Sequence, residues 1–189
     1  MKSEKILQIL KILLSVFVVL LAGVIGFTAM TWMSVSKQNK QLSEIAQQFK
    51  QDPKTKIDER AILGTVFIER LDLEYPVIKH ERETDLNTTI CAYSGPGLNQ
   101  YGNTVIAGKR SKGGLFFTDL VKLKTNDTIR VTGADGASVT YRMTDSYETD
   151  RGDNSIPARA FEENVREITL VSAAAGKTKQ YVFKFVETE

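Results

Sequence analysis

No charged residue interrupts residues 12–36, a run bounded by Lys11 and Lys37. About 20 apolar residues suffice to cross the hydrocarbon of a bilayer, so the run reads as a transmembrane anchor over 12–33 behind a short tail, 1–11. Lys2, Lys5 and Lys11 precede it, and this bias puts the tail in the cytoplasm and everything after Lys37 outside. A cleaved signal peptide is the competing reading, because Leu21-Ala22-Gly23 and Thr28-Ala29-Met30 carry small residues. The run exceeds the roughly 7 to 15 apolar residues of a signal core, which favours an anchor that is retained. Val24 follows Gly23 where a lipid-bearing leader would need cysteine, and Gly23 and Gly26 offer a surface on which two such helices can approach closely.

The leading segment also accounts for the charge. Lys2, Lys5, Lys11 and Glu4 together make the +2 of the whole chain, so the remainder is neutral, and nucleic-acid binding, which calls for a basic excess, is set aside. One cysteine, Cys91, and one histidine, His80, exclude an intramolecular disulfide and any cysteine- or histidine-cluster metal site. An exported domain without disulfides fits a Gram-positive cell surface. No cofactor is expected: Glu81, Glu83 and Asp85 could join Asp150 or Asp153 around calcium, but no loop spacing specifies such a site.

After the anchor, Leu42, Ile45, Ala46 and Phe49 recur at helical spacing among glutamines and lysines, which predicts a helical stalk or linker over 34–60 ended by Pro53 and the charged stretch behind it. From Ala61 to the C-terminus the pattern is that of short strands: 63–68, 71–77 with Pro76 at an edge or bulge, 104–108, 128–131, 139–143, 168–172 and 180–186. Helical turns are expected over 86–93, 114–123 and 157–161, loops over 94–103 and 148–155, and a hairpin turn at Ala134-Asp135-Gly136. About eight strands with these turn signals predict a mostly β domain, a closed barrel or sandwich with short helices, over 61–189. Arg151-Gly152-Asp153 spells an integrin-type tripeptide, but in a polar loop it reads as a solvated turn.

Residues 167–176, EITLVSAAAG, alternate in the manner of a strand, Ile168, Leu170 and Ser172 on one face and Thr169, Val171 and Ala173 on the other. A strand end at a barrel mouth is a place to mount a nucleophile, and here it holds three alanines. The order of motifs around this stretch resembles the sortase family, the membrane-anchored cysteine transpeptidases of Gram-positive bacteria. Residues 64–77, GTVFIERLDLEYPV, are similar to the family's opening strand pair, with Glu69 where proline is common. GNTVIAGKR, 102–110, is similar to the family's GNxVIAGHR, Phe117, Leu120, Leu123 and NDTIRV follow a further family pattern with Asn126 in a glycine slot, and ITLVSA, 168–173, resembles LTLVTC.

The resemblance implies a sortase-type closed β-barrel with a substrate groove, and it implies where the chemistry of a sortase would sit. The histidine slot holds Lys109, the cysteine slot holds Ala173, and the arginine slot falls at Lys179 or Gln180 according to a one-residue choice of alignment. A thiolate is needed to attack the substrate carbonyl, so Ala173 removes the acyl-enzyme. Lys109, with an ordinary pKa of about 10.4, is a poor proton shuttle near neutral pH. Three departures together, where a trapping substitution explains one, point to a natural pseudo-sortase lacking catalytic Cys, His and Arg.

Two rearranged sites would keep the chain an enzyme. One pairs Ser172 with Lys109, against the alternation of the strand; the other pairs Cys91 with His80, which no spacing forces together. The expected function is therefore a membrane-anchored extracytoplasmic barrel that binds or scaffolds a cell-surface protein, a pilin or a sorting-signal peptide without cleaving it. Lys109, Arg110, Ser172, Ala173, Lys179 and Tyr93 are the candidate groove residues. The alternatives are a cysteine transpeptidase that anchors or polymerises surface proteins, present as an inactivated variant, and a structural role for the anchor and stalk with the barrel as a spacer.

Overall fold

In a computed structural model that describes residues 2–111, 114–153, 156, 164–174 and 178–188, the chain forms two compact units, Met1–Lys37 and Gln38–Glu189. Helix α1 (Lys2–Gln51) supplies the first and opens the second. Within the first unit, the segment from Leu10 contains a window of mean hydropathy 2.7 with none of it buried, so the helix is long and apolar enough to cross a membrane. Its hydroxyls bond inward to their own helix: Ser15 Oγ donates to the Ile12 carbonyl at 2.8 Å and Thr28 Oγ1 to that of Ile25 at 2.9 Å. Such back-bonding satisfies a polar side chain without any outside partner.

In the second unit the apolar stripe of α1 faces a core. Leu42, Ala46 and Phe49 are buried, and Ile45 packs beside them. Burying a side chain the size of Leu or Phe contributes about 1.5–3 kcal/mol, so this stretch is held by the domain. Lys50 in its last turn pairs with Glu74, a buried carboxylate that also accepts the Thr65 hydroxyl at 3.0 Å. Asp52 closes the helix, its carboxylate accepting the Lys54 N–H at 3.0 Å beyond Pro53.

Nine strands are formed among the described residues: β1 (Lys56–Ile57), β2 (Arg60–Ile68), β3 (Leu73–Lys79), β4 (Ile90–Ser94), β5 (Gly102–Arg110), β6 (Thr128–Gly133), β7 (Ser138–Asp150), β8 (Arg166–Ala174) and β9 (Lys179–Glu187). Their order is β1-β2-β3-β4-β5-β8-β9-β7-β6, and an additional β2–β6 pairing closes eight of them into a barrel with β1 outside. Two pairs, β3–β4 and β5–β8, are parallel. At the seam Val66 lies opposite both Tyr75 of β3 and Val131 of β6. Gly64 is required there, because a Cβ on it would sit 2.3 Å from the Thr132 carbonyl oxygen. The interior is filled by Val66, Ile68, Val77, Ile106, Ile129, Leu170 and Phe185 among others, all at or near zero exposure.

Several expected boundaries move. Residues 86–93 divide into a 3-10 turn (Glu83–Asn87) and strand β4, because buried Ile90 and Cys91 pair with Val77 and Ile78 of β3. Pro76 lies just before that ladder begins, and its carbonyl takes the Thr89 hydroxyl at 2.7 Å. The stretch 148–150, expected in a loop, extends β7: Tyr147 and Thr149 turn partly inward while Ser146, Glu148 and Asp150 stay exposed, so one solvated face gives a strand the composition of a loop. The 3-10 turns Glu69–Leu71 and Phe117–Lys122 complete the domain. Asn126 stands at φ +75° in the left-handed region, which asparagine tolerates better than most residues. The helical turn expected over 157–161 lies outside the described residues.

Candidate functional site

Strands β5, β8 and β9 carry the two faces of the barrel wall differently. Ile106, Leu170 and Phe183 belong to the central core, whereas Val105, Val171 and Val182 form a second buried cluster on the outer face with Ile156 and, at its edge, Tyr147. A strand apolar on both sides is covered on both sides. Beneath this cluster, the Thr169 hydroxyl donates to Asn103 Oδ1 at 2.9 Å, with both residues buried.

At the upper end of the same three strands, register brings together residues far apart in sequence. Lys109 lies opposite Ala173, and Ala173 lies opposite Gln180. The three form one row across β5, β8 and β9, two residues along β8 from Val171. Lys179 is displaced from it: its ladder partner is Asp150 of β7, whose carboxylate takes its ammonium at 2.9 Å and holds it above the usual lysine range. Gln180, and not Lys179, therefore faces the alanine. Its side chain is buried, its Nε2 donating to the Asp150 carbonyl at 3.2 Å.

The Lys109 ammonium donates to Asn87 Oδ1 from the 3-10 turn before β4. Arg110 lies opposite Ala174, with its guanidinium over the Tyr181 ring at 4.6 Å from the centroid. Gly108 beneath them allows Phe117 to close against the strand, since a Cβ there would come within 2.5 Å of the ring. The fold does not bring Ser172 into this row: it points into the barrel, fully buried, and donates to the Phe117 carbonyl at 2.9 Å. That bond commits its hydroxyl and separates it from Lys109. Tyr93 is exposed but lies beyond the Ala92↔Ile106 pair, away from Lys109, and stacks on His80 at 5.1 Å between ring centroids.

Cys91 and His80 come near one another through the parallel pairing of β3 and β4, yet they form no couple. The Cys91 sulfur faces the Thr89 carbonyl at 3.8 Å and is fully buried. Burial, with the Asp85 carboxylate adding to it, pushes the thiol up to about 12. Four of the five carboxylates considered for calcium, Glu81, Asp85, Asp150 and Asp153, are engaged with other groups. Asp85 accepts the N–H groups of Glu81 and Arg82 at 2.9 and 2.8 Å, which with Arg60 at 3.0 Å hold its pKa below the usual carboxylate range. Glu81 pairs with Arg60, and Asp153 accepts the Thr149 hydroxyl. Among the described residues no three His, Cys, Asp or Glu side chains gather as a metal site. Arg151 and Gly152 form an exposed turn, with Gly152 at φ +89°.

Sequence reasoning passed over Asn87, Gly108 and the outer cluster. The apolar pairs Val105-Ile106 and Leu170-Val171 carried the signal for that cluster, since neighbours on a strand point to opposite faces.

The family model of the Sortase domain matches residues 66–184, more than half of the chain. Among solved structures, sortase A of Listeria monocytogenes is 20% identical at a TM-score of 0.60, covering 68% of this chain and 88% of its own. Sortase C1 of Streptococcus agalactiae is 18% identical at 0.60, with 79% and 89% covered, and a Clostridium perfringens sortase D5 transpeptidase is 16% identical at 0.60, with 82% and 98% covered. No curated protein matches the chain.

Proposed function

This chain belongs to the sortase family, and from that premise we propose that it is a membrane-tethered, extracytoplasmic pseudo-sortase. In this reading its outer groove binds a peptide of a cell-surface protein or pilin without cleaving it. The observation that carries the reading is the row Lys109, Ala173, Gln180. Transpeptidation by a cysteine enzyme needs a nucleophile, a proton-transfer group and a donor for the developing oxyanion. A methyl group cannot attack a carbonyl. The sole thiol of the chain, Cys91, is buried on β4 with its pKa raised, so it does not substitute. The row keeps a cation, Lys109, beside Ala173, and the strand wall below it is packed by the buried cluster of Val105, Val171 and Val182. The lysines before the apolar helix support a cytoplasmic N-terminus and an exposed domain.

The test is to incubate the full chain in detergent with a sorting-signal peptide and an amine acceptor, and to search by mass spectrometry for cleaved or transferred product. None is expected, and product at any steady rate would overturn the reading. Ala173→Cys alone should also give no turnover, because the row still lacks histidine and arginine. Activity restored by that single change would instead establish the alternative, a transpeptidase lacking only its nucleophile.

A further inference from the structure

Phe116 holds a backbone conformation that belongs to glycine. At φ +52° and ψ −123° it stands near the first central position of a type II′ turn, about +60° and −120°, and the Thr118 N–H bonds the Leu115 carbonyl at 3.3 Å across it. A side chain in this region carries an equilibrium penalty of about fivefold to 150-fold, and it persists only where its surroundings impose it.

Those surroundings include α1. The Phe116 ring is buried, lies tilted against the Tyr75 ring at 6.2 Å between centroids, and belongs with Leu42 to the central core. The Tyr75 hydroxyl is shared between Asn39 Oδ1 at 3.0 Å and the Phe116 carbonyl at 3.4 Å, so one group touches both the helix and the turn. On its other side the turn meets the row. Phe116 forms an antiparallel bridge with Arg110, the residue after Lys109, and Phe117 closes on Gly108, the residue before it. A cavity of about 670 Å³, lined by Leu42, Ile45, Leu115 and Phe116 among others, lies between helix and turn and gives the turn room to change shape.

From these contacts we infer that residues 38–51 of α1 act as a strap. Docked on the barrel, the strap holds Phe116 in its strained conformation and so fixes the end of β5. Undocked, it lets the turn relax and frees Lys109 and Arg110, which makes the shape of the row depend on the seating of the helix. The device goes beyond the groove-binding reading and holds whatever the row binds. The strap is seated by the buried side chains of Leu42, Ala46 and Phe49 and by Lys50 on Glu74. Its release is a local opening, of the kind that hydrogen exchange resolves segment by segment.

Hydrogen exchange of the full chain in detergent micelles, read by mass spectrometry, compares segments 106–111 and 114–118 with the β6–β7 hairpin, 128–143. Leu42→Ala loosens the strap and should speed exchange in the first two segments by about fivefold or more relative to the hairpin. Phe116→Ala and Phe116→Gly both remove the ring, but only alanine keeps the strain, so the same segments should exchange about fivefold or more faster in Phe116→Ala than in Phe116→Gly. Adding Leu42→Ala to Phe116→Gly should then change their exchange by less than about twofold. Acceleration by Leu42→Ala that is equal in all three segments, or absent from all, would overturn the inference, and so would equal exchange in the two Phe116 variants. If neither Phe116 variant folds, the Leu42→Ala comparison decides alone.

Discussion

Replacing Gly108 with alanine tests the packing that supports the row from below. The added methyl would lie 2.5 and 2.6 Å from Phe117 Cδ2 and Cγ, whereas carbon atoms rest at about 3.5–4.0 Å. The ring must retreat by about 1 Å. It has nowhere open to go, since Phe117 has no exposed surface and its carbonyl is held by the Ser172 hydroxyl. Overpacking of this kind costs about 1–3 kcal/mol, and a clash with a ring anchored at both ends belongs in the upper part of that range. For a domain of this size each kcal/mol lowers the melting temperature by about 2–4 °C, so Gly108→Ala should melt about 5–10 °C lower. Phe117→Leu makes room at its own cost. Because the two residues share one contact, the double variant should be less destabilised than the sum of the singles by about 1 kcal/mol. Near-ultraviolet circular dichroism of the full chain in detergent reads all four forms. A melt of Gly108→Ala within 1 °C of the parent, or strict additivity in the double variant, would refute the packing argument.

Two further perturbations separate structure from chemistry. Ser172→Ala leaves the buried Phe117 carbonyl without its donor and should cost about 1–2 kcal/mol, seen as a lower melting temperature, while peptide retention by the groove stays unchanged; lost retention at unaltered stability would return Ser172 to the site. Cys91 has a folded pKa raised to about 12 by burial, from an ordinary 9.0. Its contribution to stability is thus complete below about pH 9 and is lost as the pH rises toward 12, because the unfolded thiol ionises first. Iodoacetamide at pH 8 should therefore label the denatured chain and spare the native one, and rapid native labelling would show the thiol to be accessible.

The inner face of the barrel was legible in sequence because burial on one side leaves an alternation: Ile168, Leu170 and Ser172 fall inside as their spacing predicts. The identity of the residue facing Ala173 was not, since Lys179 and Gln180 fit the motif equally well. Only the β8–β9 register separates them, and hydrogen bonds between backbones leave no trace in composition. The pairing of Lys109 with Ala173 was hidden for a related reason, as β5 and β8 join in parallel with two other strands between them in the chain. Residues 148–150 misled because a strand with one wet face has the composition of a loop. Asn87 was missed because its role lies in a contact with Lys109 across the end of the barrel, which no local pattern encodes.

The row also has a place in time. Lys109 belongs to the fifth strand, but the other two members of its row come from the eighth and the ninth, so the row does not exist while the chain is being made up to β7. Contacts this distant in sequence form late and slowly, after their loop-closure entropy has been met. The row is therefore either complete or absent, and a chain truncated before β9 would keep much of the barrel's sequence while never placing Gln180 opposite Ala173.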